Sequence, residues 1–91
     1  MKEHVSTVQV GNFQLKYFRT IQRGGDKIKG VADLHGVYAA KCLGKHIVEH
    51  VYSGPISKNA GHVNDIINRL AQNTVTPMVL CEIIDEMMSQ H

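Results

Sequence analysis

The chain has 91 residues, of which 43% are hydrophobic and 20% are charged. This length leaves room for one hydrophobic core, and the composition is far from the low hydrophobicity and high charge of disordered chains. The formal net charge of +2 is too small by itself to indicate a polyanion partner. No apolar run approaches the roughly 18 residues of a membrane span or resembles a secretory signal. We therefore expect one soluble, cytoplasmic domain over residues 1–91.

The clearest strand pattern lies in residues 13–22. Apolar side chains recur there at alternating positions, which is the period of a half-buried strand: Phe13, Leu15, Tyr17 and Ile21. Residues 23–26 follow as a turn, because two adjacent glycines accept positive φ without steric cost. Residues 27–29 resume an extended pattern, so the segment predicts a β-hairpin.

Residues 31–53 admit two interpretations. In the first, two strands flank a turn at Gly44-Lys45, and the β-branched residues that follow suit a sheet. In the second, the apolar residues fall near a 3.6-residue period, with a Gly-Pro pair just past the end of a helix. We favour strands, because Gly36 and Gly44 would each destabilise a helix interior by about 1 kcal/mol relative to alanine.

An amphipathic helix is predicted over residues 57–72. Apolar residues recur there at three- and four-residue spacing, which gives the helix one apolar face. Ser57 is the expected N-cap, and Asp65 with Arg69 has the i,i+4 spacing of a helical ion pair.

A second helix is predicted over residues 76–89, where Thr76 supplies a capping hydroxyl and Pro77 takes the first helical position. Its apolar stripe consists of Leu80, Ile83, Ile84 and Met87. Both stripes need a partner surface, and we expect them to pack on one face of a sheet formed by residues 13–53. The predicted fold is therefore α+β: an N-terminal antiparallel sheet of three to four strands, followed by two C-terminal helices.

The C-terminal third also resembles a known family. The resemblance rests on Ile56-Ser57, the helix over residues 60–71, Asn73-Thr74-Val75-Thr76-Pro77-Met78-Val79-Leu80 and Ile83-Ile84-Asp85-Glu86. These residues resemble a family of small proteins of Gram-positive bacteria, with no assigned activity, in which a sheet region leads into a helix that starts with Val-Thr-Pro. The chain departs from that pattern at Val79, where the family usually has histidine. The resemblance implies a sheet followed by helices and a bacterial cytoplasmic origin, and it supplies no catalytic residues.

The cysteines and histidines are the candidates for a metal site. Cys42, His46 and His50 are spaced four apart, so on a helix they would share one face within reach of a zinc ion. Along a strand, residues four apart are separated by about 13 Å, which is too far for one metal. Because we favour strands, we expect no metal site. We interpret Cys42 and Cys81 as reduced thiols, and Cys81, which has apolar neighbours, as a small core residue.

No recognised catalytic or phosphate-binding motif is present, and we therefore expect neither enzymatic activity nor a cofactor. Charge is unevenly distributed along the chain: residues 1–60 contain nine Lys or Arg against four Asp or Glu, and residues 61–91 contain one against four. A basic sheet face is therefore one candidate surface for nucleic acid, and its candidate residues are Lys16, Arg19, Arg23, Lys27 and Lys29.

The leading functional hypothesis is a small protein-interaction or regulatory module. Phe18, Val31 and Tyr38 are the candidates for apolar groups exposed on the sheet face opposite the helices, where aromatic anchors contribute most to an interface. An exposed strand edge offers self-association as another route, because its backbone groups are free to pair with a second copy. No membrane partner is expected.

Overall fold

The computed structural model describes residues 1–24 and 32–89. In chain order the elements are β1 (Lys2–Val10), β2 (Phe13–Gln22), β3 (Leu34–Leu43), β4 (His46–Ser57), α1 (Ala60–Gln72), a 3₁₀ turn (Pro77–Val79) and α2 (Leu80–Met88). The strands form one antiparallel sheet in the order β1-β2-β3-β4. The predicted α+β fold, with an N-terminal antiparallel sheet and two C-terminal helices, is confirmed. Within the described ranges, neither helix has the length and apolar character of a membrane span.

The ambiguous segment forms strands, and the helical alternative is wrong. β3 and β4 are joined by a two-residue turn at Gly44-Lys45, across which Leu43 pairs with His46. Gly44 has a φ of +61°. Glycine at positive φ in the first turn position suits the twist of the two flanking strands. Gly36, which disfavours a helix, lies within β3 and pairs with Thr20 of β2.

The first strand was not predicted from the sequence, and the sheet begins well before residue 13. The apolar residues of β1 are Val5, Val8 and Val10, and these positions do not alternate. A β-bulge between His4 and Ser6 explains the break, since an extra residue shifts every following side chain to the other face. The extended segment predicted at residues 27–29 lies outside the described residues.

The core lies between the sheet and the two helices. Its buried side chains come from both layers: Leu15, Tyr17, Val37 and Ala39 from the sheet, and Val63, Ile66, Ile67, Leu70, Leu80 and Ile84 from the helices. The predicted stripe of α2 is confirmed, since Leu80 and Ile84 are buried and Ile83 and Met87 pack against the core. Both helices therefore cover the same face of the sheet.

Tyr17 fixes the segment between α1 and the 3₁₀ turn to the sheet. Its side chain is fully buried, and its hydroxyl donates a hydrogen bond of 2.6 Å to the carbonyl oxygen of Val75. Burial raises the pKa of Tyr17 to about 12. The hydroxyl therefore stays protonated over the physiological range and acts as a structural donor.

The N-cap of α1 is Asn59, and the prediction of Ser57 was wrong. The Asn59 side chain accepts a hydrogen bond from the His62 amide, whereas the Ser57 hydroxyl accepts one from the Asn59 amide. Because β4 continues to Ser57, that residue is still in the sheet, and α1 begins three residues later than predicted. Thr76 is at the predicted cap position before Pro77, but its hydroxyl makes no capping hydrogen bond.

Candidate binding face

The two faces of the sheet have different surroundings. Side chains that alternate with the core residues point away from the helices, and the strand register places the following residues on this second surface, here named the open face: Lys2, His4, Thr7, Gln9, Gln14, Lys16, Phe18, Thr20, Tyr38, Ala40, Cys42, Ile47, His50 and Tyr52. In the part of the chain that the structure describes, neither helix packs on this face. The open face is therefore the broad surface on which a ligand can lie flat.

A row of rings crosses the open face from β1 to β4. His4 packs edge-on against Phe18, with ring centroids 5.4 Å apart, and Phe18 packs edge-on against Tyr38 at 5.7 Å. Tyr38 stacks on His50 at 5.9 Å. The register produces this row, because His4 pairs with Phe18 and Phe18 pairs with Tyr38. Edge-to-face and offset contacts of this length are favourable, so the rings hold one another in place.

Lys2 lies over this row. Its ammonium nitrogen is 3.9 Å from the ring centroid of Tyr38 and 4.9 Å from that of Phe18. Both distances are within the range of a cation–π interaction. The open face thus combines aromatic rings with a positive charge directly above them.

The charges of the described residues are divided between the two sides of the sheet. The open face has Lys2 and Lys16 with two histidines, and it has no acidic residue among the residues described. On the strands, the acidic residues are Glu3 and Glu49, which pair in register with Arg19 and Lys41 on the helix-covered face. The remaining described acidic residues are Asp33 in the loop before β3 and Asp65, Glu82, Asp85 and Glu86 in the helices. Among residues 1–24 and 32–89, no acidic side chain on the open face therefore opposes a negatively charged ligand.

The predicted nucleic-acid residues do not form one patch. Lys16 lies on the open face, but Arg19 is three residues further along β2 and points to the helix-covered side. Arg19 is 13% exposed and forms an ion pair of 2.8 Å with Glu3, so it is already neutralised. Arg23 is exposed just beyond the end of β2. Lys27 and Lys29 lie outside the described residues.

Of the predicted interface residues, Phe18 and Tyr38 lie side by side at the centre of the open face, and both are partly exposed. Val31 lies outside the described residues. Sequence reasoning missed Lys2, His4 and Tyr52. Lys2 and His4 were missed because β1 was not recognised as a strand. The residues around them do not indicate that they lie next to Phe18 of β2.

The two cysteines lie in different environments, and Cys81 is not where it was expected. Cys81 is exposed on α2, so its prediction as a core residue was wrong, whereas Cys42 is buried. Cys42 lies on the open face in β3, where its cross-strand neighbours Gln14 and Ile47 flank it. Cys81 points to solvent because Leu80 and Ile84 occupy the core-facing positions of the helix.

The three residues considered as zinc ligands lie in two different strands, with Cys42 in β3 and His46 and His50 in β4. Residues 1–24 and 32–89 contain no group of three or more His, Cys, Asp or Glu side chains arranged to hold a metal ion. The described surface therefore offers rings and lysine charges for binding.

The fold and the open face define a small α+β domain in which a four-stranded antiparallel sheet is covered by helices on one side and carries aromatic and cationic side chains on the other. The chain belongs to the family of unknown function DUF6514, whose model matches residues 1–90. This confirms the expectation of a family without an assigned activity. No curated protein and no solved structure matches the chain.

Proposed function

We propose that this protein is a non-catalytic binding module whose open face binds single-stranded nucleic acid. The observation that carries the proposal is the row His4-Phe18-Tyr38-His50, which lies beside two lysines on a face without a described acidic residue. Single strands are bound by such surfaces because every base has a ring that stacks on an aromatic side chain, while lysines neutralise the backbone. In a duplex the bases are stacked inside, so only the contact between lysines and the backbone remains.

The setting we propose is the bacterial cytoplasm. The resemblance of the C-terminal third to proteins of Gram-positive bacteria supports the bacterial part. Both cysteines are free thiols, which is usual in a reducing compartment. The proposal for localisation and the proposal for binding are independent of each other.

Fluorescence anisotropy tests the binding proposal. Labelled single-stranded DNA and RNA of mixed sequence, together with the matching duplexes, are titrated with the full chain at 50 and 200 mM salt. We expect single strands to bind more tightly than duplexes, with an affinity that falls as salt increases. Removing one lysine that neutralises a phosphate should reduce the slope of log K against log salt by about 0.7.

Two matched lysine variants make the test specific to the open face. Lys16→Gln removes a charge from the open face, and Lys58→Gln removes the same charge from the connection between β4 and α1. We expect only Lys16→Gln to reduce the salt slope. Phe18→Leu keeps an apolar side chain but removes the ring, and it should weaken binding by about 1–3 kcal/mol, the contribution of one stacked base. Absence of binding at 50 mM salt, or equal effects of the two lysine variants, would refute the proposal.

A second candidate function is self-association through the end of the β3–β4 hairpin. Leu43, Ile47 and Val48 are all more than 40% exposed there, and β4 is an edge strand. Exposed apolar side chains beside unpaired backbone groups favour pairing with a second copy. Sedimentation velocity over a hundred-fold range of concentration tests this, with Ile47→Lys as the variant that should remove any dimer. A monomer at every concentration would exclude it.

A further inference from the structure

A groove runs along one end of the open face, next to the aromatic row. Its volume is about 580 Å³, and it is lined by Met1, Lys2, Thr20, Ile21, Gln22 and Tyr52. Thr20 on β2 pairs with Gly36 on β3, so no β3 side chain fills the space between Thr20 and β4. A side chain at this position is excluded, because a Cβ on Gly36 would lie 2.2 Å from the carbonyl oxygen of Gly54.

The groove offers two different kinds of contact. Tyr52 presents a ring that is 46% exposed. Lys2 supplies an ammonium group, which in the free protein lies over the rings of Phe18 and Tyr38.

We infer that this groove is a subsite for one nucleotide unit, with the base against Tyr52 and the phosphate on Lys2. The inference rests on the proposed function, since it assigns one position in the path of a bound strand. A ring and an ammonium group match two parts of a nucleotide, the base and the phosphate. The groove volume lies within the range of small-molecule sites.

Lys2 is the residue that selects for the phosphate. A phosphate offers the ammonium group a charge-assisted hydrogen bond, which is stronger than a contact to a ring face. Binding of a nucleotide therefore draws Lys2 away from Tyr38 and Phe18 and exposes their rings to the neighbouring base. A nucleoside offers Lys2 no new partner, so its binding leaves the ammonium group over the rings of Phe18 and Tyr38 and gains only the contact with Tyr52.

Amide NMR titrations of the labelled full chain test the inference. The ligands are AMP and UMP, the nucleosides adenosine and uridine, inorganic phosphate alone, and a short single-stranded oligonucleotide. We expect the nucleotides to bind about ten-fold more tightly than the nucleosides, the ratio that one charge-assisted contact supplies. The largest shifts should lie at Lys2, Thr20 and Tyr52.

Two variants identify the selecting residue. Lys2→Met keeps most of the side-chain length without the charge, and it should remove the difference between nucleotide and nucleoside. Lys58→Met makes the same change in the β4–α1 connection and should leave the difference intact.

The outcomes separate the subsite from the proposed function. If the oligonucleotide binds on the open face but Lys2→Met retains the discrimination, the subsite is refuted and the binding function stands. If mononucleotides bind as expected and the oligonucleotide does not, the binding function is refuted and the groove is a site for free nucleotides. Equal shifts with inorganic phosphate alone would overturn the inference, because the groove would then recognise any anion. Absence of binding by every ligand would refute both.

Discussion

The hydroxyl of Tyr17 bonds the sheet to the segment between α1 and the 3₁₀ turn. The variant Tyr17→Phe removes this hydroxyl and keeps the ring. The ring stays in place, so no cavity forms and the apolar contacts of a fully buried side chain are kept. The Leu70 carbonyl still accepts the Val75 amide at 3.0 Å, but the Val75 carbonyl loses the hydroxyl that lies 2.6 Å away. A buried polar group left without its partner costs about 1–3 kcal/mol, and we expect the free energy of unfolding to fall by that amount.

Urea titration followed by circular dichroism measures the effect. The midpoint should fall with an unchanged m-value, because the surface exposed on unfolding is the same. For a domain of this size, each 1 kcal/mol of destabilisation should lower Tm by about 4–8 °C. Tyr52→Phe is the matched control, since Tyr52 is 46% exposed on the open face. If Tyr17→Phe and Tyr52→Phe have the same midpoint, the hydroxyl of Tyr17 does not hold the junction and the reasoning fails.

The raised pKa of Tyr17 gives the same variant a second signature. An unfolded tyrosine loses its proton near pH 10, whereas Tyr17 keeps its proton in the folded protein until about pH 12. Between these values the folded state binds more protons than the unfolded state, so this contribution to stability is complete below pH 10 and is lost as the pH rises toward 12. The stability advantage of the wild type over Tyr17→Phe should therefore shrink from pH 9 to pH 12. A constant difference over that interval would contradict the assignment.

Three further predictions concern the fold. Gly36→Ala should lower the free energy of unfolding by about 1–3 kcal/mol, because its Cβ would overlap a carbonyl oxygen of β4, and urea titration measures the loss. Asn59→Ala should cost about 1 kcal/mol because the N-cap is removed, whereas Ser57→Ala should cost less; a larger effect at Ser57 would contradict the observed cap. Cys81 should react with a thiol reagent in the folded protein, and Cys42 only on unfolding.

Periodicity predicted the parts of the fold that are regular. The apolar residues of β2 alternate at Phe13, Leu15, Tyr17 and Ile21, and both helices carry one continuous apolar stripe, so their types follow from spacing alone. The choice of strands for residues 31–53 followed from two glycines that a helix tolerates poorly. The caps and the ends of elements were less predictable, because Ser57 and Asn59 are both good N-cap residues and only the extent of β4 selects between them.

The arrangement of residues in the candidate site could not be predicted, because it depends on the register between strands. The bulge between His4 and Ser6 hides the alternation of β1, and without β1 neither Lys2 nor His4 can be placed opposite Phe18. Lys16 and Arg19 are close in sequence, yet a spacing of three on a strand sends them to opposite faces. Phe18 and Tyr38 were predicted as exposed groups on the face opposite the helices, but their contact follows from pairing across a connection of eleven residues, 23–33.

The basic and acidic parts of the sequence lie mainly in different layers of the fold. Because the strands come first and the helices last, the basic segment 1–60 contains the four strands and the acidic segment 61–91 forms most of the layer behind them. The open face and the outer surface of the helices are separated by more than the thickness of the sheet, whereas charges at physiological salt are screened over about 8 Å. A ligand on the open face therefore interacts mainly with Lys2 and Lys16, and the acidic helices contribute little repulsion. The net charge of +2 is therefore a poor measure of the charge on the open face, where the described residues include two lysines and no acidic residue.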